Sequence, residues 1–132
     1  MSNSILTSVK KNLGLAVDYT IFDPDILMHI NSALAVLTQL GIGPENGVTV
    51  EDASTTWATV IGTDAQLNGV KTLVYLRVRL LFDPPTTGYL IEAMNKQIEE
   101  LTWRISVYRE DTGWVSPIEV PITDTVLDGG DS

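Results

Sequence analysis

Few side chains in this chain have the type and spacing to do chemistry. The single histidine, His29, stands four residues after Asp25, the spacing of an ion pair on one helix face. A catalytic imidazole needs a nucleophile or a convergent set of groups, and no such partner is evident. Carboxylates pair at Asp23/Asp25, Glu51/Asp52 and Glu99/Glu100. Acid–base work from such pairs requires a site that pushes their pKa values apart. Asp23 instead precedes Pro24 as a helix cap, Glu51 and Asp52 fall in a polar loop, and Glu99 and Glu100 fall on a polar helix face, so all six read as solvated surface. The stretch GIGPENG lacks the Gly-Lys-Ser/Thr ending of a phosphate loop, and no EF-hand spacing occurs. With no cysteine there is neither a disulfide nor a thiolate metal site. The expectation is a protein without catalytic residues, cofactor or metal, and not an enzyme.

The remaining reactive-looking feature is LVYLRVRLLFDPP, residues 73–85. Leu76 to Leu80 alternate apolar and charged residues as a half-buried strand does. The apolar segment runs from about Gln66 to Phe82, too long for an ordinary strand, so a helix is expected. Val70, Leu73, Val74, Arg77 and Leu81 then share one face. Arg77 and Arg79 stand about 200° apart around that helix and cannot form one patch. Two readings stay open for them: ordinary solvated or intramolecular pairs, or a salt bridge across a subunit interface, where arginine suits desolvated contacts.

Helices must position these groups. Ser4 caps a first one, with Ile5, Leu6, Val9 and Leu13 at helical spacing and Gly14 as its stop. Asp23-Pro24 opens a second, with Ile26, Leu27, Ile30, Leu34 and Leu37 in one stripe and Gly41 at its end. Residues 41–56 read as a loop, with Val48 and Val50 able to form a short extended piece. Ser54 or Thr55 is placed to cap a short helix carrying Trp57, Val60 and Ile61, stopped by Gly62. After Asp83-Pro84-Pro85, a further helix begins near Thr86 or Thr87 with Leu90, Met94, Ile98, Leu101, Ile105 and Tyr108 at spacings of three and four. Glu92–Lys96 and Glu100–Arg104 add i,i+4 pairs in the favourable order. The short proline connection makes the two long helices an antiparallel pair. The expected fold is all-α, a small bundle of about four to five helices over residues 1–108.

Residues 109–132 differ from that bundle. The chain carries a net charge of −9: residues 1–108 hold 11 acids and 7 bases, whereas the last 24 residues hold 6 acids and 1 base. Trp114, Ile118, Val120 and Ile122 lie on this acidic arm, and Ile118, Val120 and Ile122 alternate with Glu119 and Pro121. Pro117 and Pro121 forbid a central strand and tolerate an edge or added strand. Either these residues fold back on the helices, or they add as a strand to a partner. The end, LDGGDS, has the composition of disorder.

The overall acidity argues against nucleic-acid binding, whose affinity comes largely from neutralising phosphates. No run of about 18 uncharged apolar residues offers a membrane span. The start, MSNSILTSVKKN, lacks a basic region followed by a long apolar stretch.

Four segments together resemble one known family: SILTSVKKNLGL, DPDILMHINSALAVLTQLGIGP, LNGVKTLVYLRVRLLFDPPTTG and MNKQIEELTWRISV, in that order over roughly residues 4–108. They are similar to the head–tail connector, or adaptor, proteins of long-tailed phages and prophages. LTQLGIGP and VRLLFDPP carry the resemblance most specifically, and the arm matches only loosely. The resemblance implies a helical, non-catalytic head-completion protein of the virion, made in the bacterial cytoplasm. It implies a ring of identical subunits, twelve-fold in the particle, docked beneath the portal protein. Such a ring extends the DNA channel, helps retain packaged DNA without sequence-specific binding, and receives the stopper or tail-completion protein. In relatives the C-terminal segment helps grip the portal, a role that would fall here to Trp114, Ile118, Val120 and Ile122, with Arg77 or Arg79 at the subunit interface. The competing reading is a helical adaptor or packaging accessory protein that binds another phage protein without forming a ring.

Overall fold

The computed structural model describes residues 4–64 and 67–112, apart from the side chains of 111 and 112. The arm residues Trp114, Ile118, Val120 and Ile122 lie outside the described residues. Among the described residues there are five helices: α1 (Ile5–Asn12), α2 (Asp23–Gln39), α3 (Ala58–Ile61), α4 (Gly69–Phe82) and α5 (Gly88–Thr112). Among the described residues there is no strand, and the only extended pairing is a single bridge between Ser4 and Thr56. The fold is a small all-α bundle.

Local chemistry sets most of the helix ends. Ser4 accepts the Thr7 N–H at 3.1 Å and caps α1. At the other end Gly14 adopts φ +84°, and the N–H groups of Gly14 and Leu15 return to the carbonyls of Lys11 and Lys10. This paired closure satisfies two orphan carbonyls. The same motif ends α2, where Gly41 at φ +86° and Ile42 donate to Thr38 and Leu37. Ile42 is buried there, so the closure also seals an apolar contact.

Two expected caps are not used. Asp23 is the first residue of α2 rather than its cap: Phe22 holds the cap position without a side-chain bond. The Asp23 carboxylate is drawn instead to a buried lysine described below. Neither Ser54 nor Thr55 caps α3, which starts after Trp57. Ser54 gives its N–H and hydroxyl to the Asp52 carboxylate, and the Thr55 carbonyl accepts the Ile5 N–H at 3.0 Å. These bonds lower the Asp52 pKa, chiefly through the Ser54 hydroxyl.

LVYLRVRLLF is helical, and α4 is the central element, packed on α2 along one side and α5 along another, with α1 touching both α2 and α4. Burial on two sides explains the alternation that imitated a strand. Leu76 and Val78, two residues apart, are both buried, as are Val70, Leu73 and Val74. The single stripe expected through Arg77 and Leu81 therefore breaks down. Arg77 is half-buried, and Leu81 is 59% exposed because nothing covers that side of the last turn.

The chain leaves α4 at Asp83, before Pro84, and enters α5 after Thr87, whose hydroxyl accepts the Leu90 N–H at 3.4 Å. A side chain at Gly69 would meet Leu101, while Leu80 and Leu81 face Asn95 and Ile98, which is the antiparallel register. α5 is 25 residues long, on the order of 37 Å, and continues through Thr112. Its C-terminal half is tied to the bundle: Ile105 is buried, Tyr108 donates to Asp64, and Arg109 Nε donates to the Gly41 carbonyl at 3.1 Å. Its first turns stand clear, with Tyr89 and Leu90 exposed. Of the two helix-face pairs expected, Glu100–Arg104 forms at 2.6 Å and Glu92–Lys96 does not.

The loop between α2 and α3 is held at Val50 by a side-chain amide. Asn31 accepts the Val50 N–H at 2.8 Å and donates to its carbonyl at 3.0 Å, so one amide side chain replaces a ladder partner. Val50 is thereby buried without an unpaired main-chain group.

Candidate interaction site

The residue that organises the most conspicuous surface is Lys10. In a helix starting at Ile5, positions 5, 6, 9 and 10 share one face, so Lys10 turns inward with Ile5, Leu6 and Val9. It is 2% exposed. Burying an ammonium demands full compensation, and three oxygens supply it. Nζ donates to the carbonyls of Val17 at 2.9 Å and Tyr19 at 2.7 Å, and lies 2.9 Å from Asp23 Oδ1. The Asp23 contact is an ion pair rather than a well-directed hydrogen bond, since that oxygen has no aligned donor.

Lys10 thus clamps residues 13–22 against the end of α1 and the start of α2. The clamp presents apolar side chains to solvent. Val17, Tyr19, Ile21 and Phe22 are exposed, Ile21 at 69%, and Met28 on α2 is exposed too. The patch is continuous through its rings. Tyr19 meets Phe22 edge-on at 5.8 Å, and Phe22 meets Phe82, at the end of α4, at 5.3 Å. Leu81 extends the apolar surface along α4. Tyr19, Phe22 and Phe82 thus form an exposed apolar shelf whose backbone is held in place by Lys10.

Sequence reasoning passed over this site. Its signal was present in LAVDYTIF, five large apolar residues in a loop bounded by Gly14 and Pro24, too apolar for a solvated connection. Lys10 was legible as well, one turn after Leu6 on the buried face.

The two arginines have different fates. Arg79 is used within its own helix: Nη1 donates to the Tyr75 hydroxyl at 3.3 Å and Nε to the Asp83 carbonyl at 3.2 Å, closing the end of α4. The Tyr75 contact also raises its pKa further above the usual guanidinium value. Arg77 lines a small cleft with Leu80, Leu81, Asn95 and Ile98. Its side chain makes no hydrogen bond or ion pair among the described residues.

His29 is half-buried on α2 and forms no pair with Asp25. Among the described residues no three His, Cys, Asp or Glu side chains could share a metal ion, and no helix is long and apolar enough to cross a membrane.

Compared with known families, residues 5–112 match the family described as "Phage connector protein". The match begins at the first residue of α1 and ends at the last residue of α5, so it spans all five helices described above. The chain belongs to the phage connector family. It is a structural component of a phage virion, a head–tail connector that works with other head and tail proteins. No curated protein and no solved structure gave a match. In the connector the shelf, the Arg77 cleft and the exposed start of α5 all lie on the matched bundle.

Proposed function

We propose that this connector assembles as a twelve-fold ring of identical subunits beneath the portal, and that the Lys10-clamped shelf is one of its protein contacts. The ring extends the DNA channel, helps retain packaged DNA, and receives the stopper or tail-completion protein, without catalytic activity. The observation that carries this reading is the shelf. Side chains as large as Val17, Tyr19, Ile21 and Phe22 stand exposed on a loop whose geometry is fixed beforehand by a buried cation. Pre-ordering lowers the entropy lost on association, which favours a docking surface over a chance apolar loop.

The other parts follow from the same role. Arg77, with no partner among the described residues, pairs with a carboxylate of a neighbouring subunit more readily than Arg79, which is already engaged. Trp114, Ile118, Val120 and Ile122 of the acidic arm grip the portal. The excess of acids keeps a channel lining from binding phosphates tightly, so DNA slides through.

The test is Phe22→Ser together with Ile21→Ser, assayed by negative-stain imaging and light scattering of the connector alone and with its portal. The expected result is a folded, helical monomer that no longer forms rings on the portal. Rings of normal size and yield would overturn the assignment of the shelf, and a wild-type chain that stays monomeric with its portal would favour the non-ring adaptor. Removing residues 113–132 is expected to weaken portal binding while α5 stays intact.

A further inference from the structure

The inner face of α5 is spent on the bundle: Ile98 and Ile105 are buried, and Met94, Leu101 and Tyr108 pack half-buried against the core. Residues two positions away from these lie about 200° round the helix. Tyr89, Ala93, Lys96, Glu100, Trp103 and Val107 therefore run along the outer face, at alternating spacings of four and three. Tyr89 is 79% exposed and Trp103 66%; Ala93, Lys96 and Glu100 are exposed, and Val107 is half-buried. Lys96 has no ion pair or hydrogen bond among the described residues. We propose that this face packs antiparallel against the same face of a second copy, as a two-fold helix pair.

The stripe is its own complement, and that selects the occupant. In an antiparallel seam each of Tyr89, Lys96 and Trp103 lies level with one of Ala93, Glu100 and Val107 on the partner. In one register every layer fits, and the symmetry makes each layer twice. Ala93 meets the partner's Trp103, a small side chain leaving room for a large one. Glu100 meets the partner's Lys96, joining opposite charges. Val107 meets the partner's Tyr89, apolar against aromatic. The alternatives fit badly. Sliding the register by seven residues sets Glu100 on the partner's Trp103 and Val107 on the partner's Lys96. A parallel seam sets Lys96 on the partner's Lys96 and Glu100 on the partner's Glu100, so like charges meet in both layers.

The charged layers fix the register at a cost in affinity, so the pair forms at high protein concentration and not at imaging dilution. A two-fold contact closes on two copies and does not propagate into a ring. This inference therefore does not rest on the ring. It concerns the free connector, and Phe22, Phe82 and Arg77 are not among the residues it uses.

The test is sedimentation equilibrium of the full chain without portal over a concentration series, in the wild type and in the Ile21→Ser, Phe22→Ser variant that lacks the shelf. Both are expected to show a monomer–dimer equilibrium. Lys96→Glu or Glu100→Lys alone puts like charges into two layers and should weaken the dimer about tenfold, the scale of two exposed ion pairs. Mixed together, those two variants are expected to pair with each other, because each layer again joins opposite charges. Trp103→Ser should remove the dimer while helicity stays unchanged. The chain has no cysteine, so single cysteines fix the direction. Gln97 lies beside its own copy near the two-fold axis, whereas the two copies of Glu92 are on the order of 18 Å apart along the helices. A short thiol cross-linker should therefore join Gln97→Cys chains and leave Glu92→Cys chains single. A chain monomeric throughout the series, a dimer indifferent to Trp103→Ser, or charge variants that fail to pair would each overturn the proposal. Equal cross-linking at 92 and 97 would overturn the antiparallel seam. Dimers seen only after removal of residues 113–132 would make the arm the occupant and overturn it as well.

Discussion

Two cations in this connector invert what their settings suggest. Lys10 belongs to a polar-looking Lys-Lys pair at the end of a short helix, yet it is buried and saturated by two carbonyls and a carboxylate. Arg77 sits inside the most apolar run of the chain, yet it is half-exposed in an open cleft without a partner among the described residues. The first holds structure together, and the second is available for a contact. The difference shows that the immediate sequence neighbourhood says little about a charge. What decides is whether the helix face it occupies is covered, and whether oxygens converge on it.

The comparison breaks most sharply at Lys10. Lys10→Met strands the Asp23 carboxylate and two carbonyls, and is expected to cost about 3–5 kcal/mol, the scale of breaking a buried ion pair. Urea denaturation measures it, and a loss below about 1 kcal/mol would place Lys10 among ordinary surface bases.

Asn31→Ala removes both partners of the buried Val50 main chain. The expected loss is about 2–3 kcal/mol, because an unmade buried bond carries its desolvation cost. Hydrogen exchange of the Val50 amide should accelerate with it.

Gly41→Ala places a Cβ 2.6 Å from Arg109 Nε at a backbone φ of +86°. Left-handed strain alone costs about 1–2 kcal/mol, and the displaced guanidinium gives up its bond to the Gly41 carbonyl. Thermal unfolding reads the sum.

Arg77→Ala is the counterpart that sharpens the contrast. It should change stability by no more than about 0.5 kcal/mol, as for a half-exposed side chain without a partner among the described residues. Its effect belongs to assembly on the portal, and a large loss of stability would mean that Arg77 is structural after all.

The smallest effect concerns Asp52. Its pKa is lowered by Ser54, so the contact stabilises the fold at neutral pH and that contribution fades as pH falls through the folded-state pKa. Ser54→Ala should raise the Asp52 pKa in an NMR titration while leaving the bundle unchanged.

The all-α class was legible because Ile26, Ile30, Leu34 and Leu37 repeat at helical spacing, and because Gly14 and Gly41 end helices in the left-handed conformation that glycine alone adopts without strain. The antiparallel pair was legible in Asp83-Pro84-Pro85, which stops a helix without room for a long crossover. Leu81 and Leu90 read as core and are exposed, since periodicity records which face is apolar and not how far a neighbouring helix extends to cover it. The interaction site was the least legible part, because a shelf built from Tyr19, Phe22 and Phe82 joins residues sixty positions apart.

The sequence by itself therefore determined the helices, most of their ends and their order, because propensity, glycine closure and proline breaks act over a few residues. The tertiary structure decided which charges are structural and which are free. Burial and convergence are properties of several segments at once. Only when α1, the following loop and α2 meet does Lys10 find its three oxygens, and only the meeting of α4 with α5 leaves Arg77 in a cleft with none among the described residues.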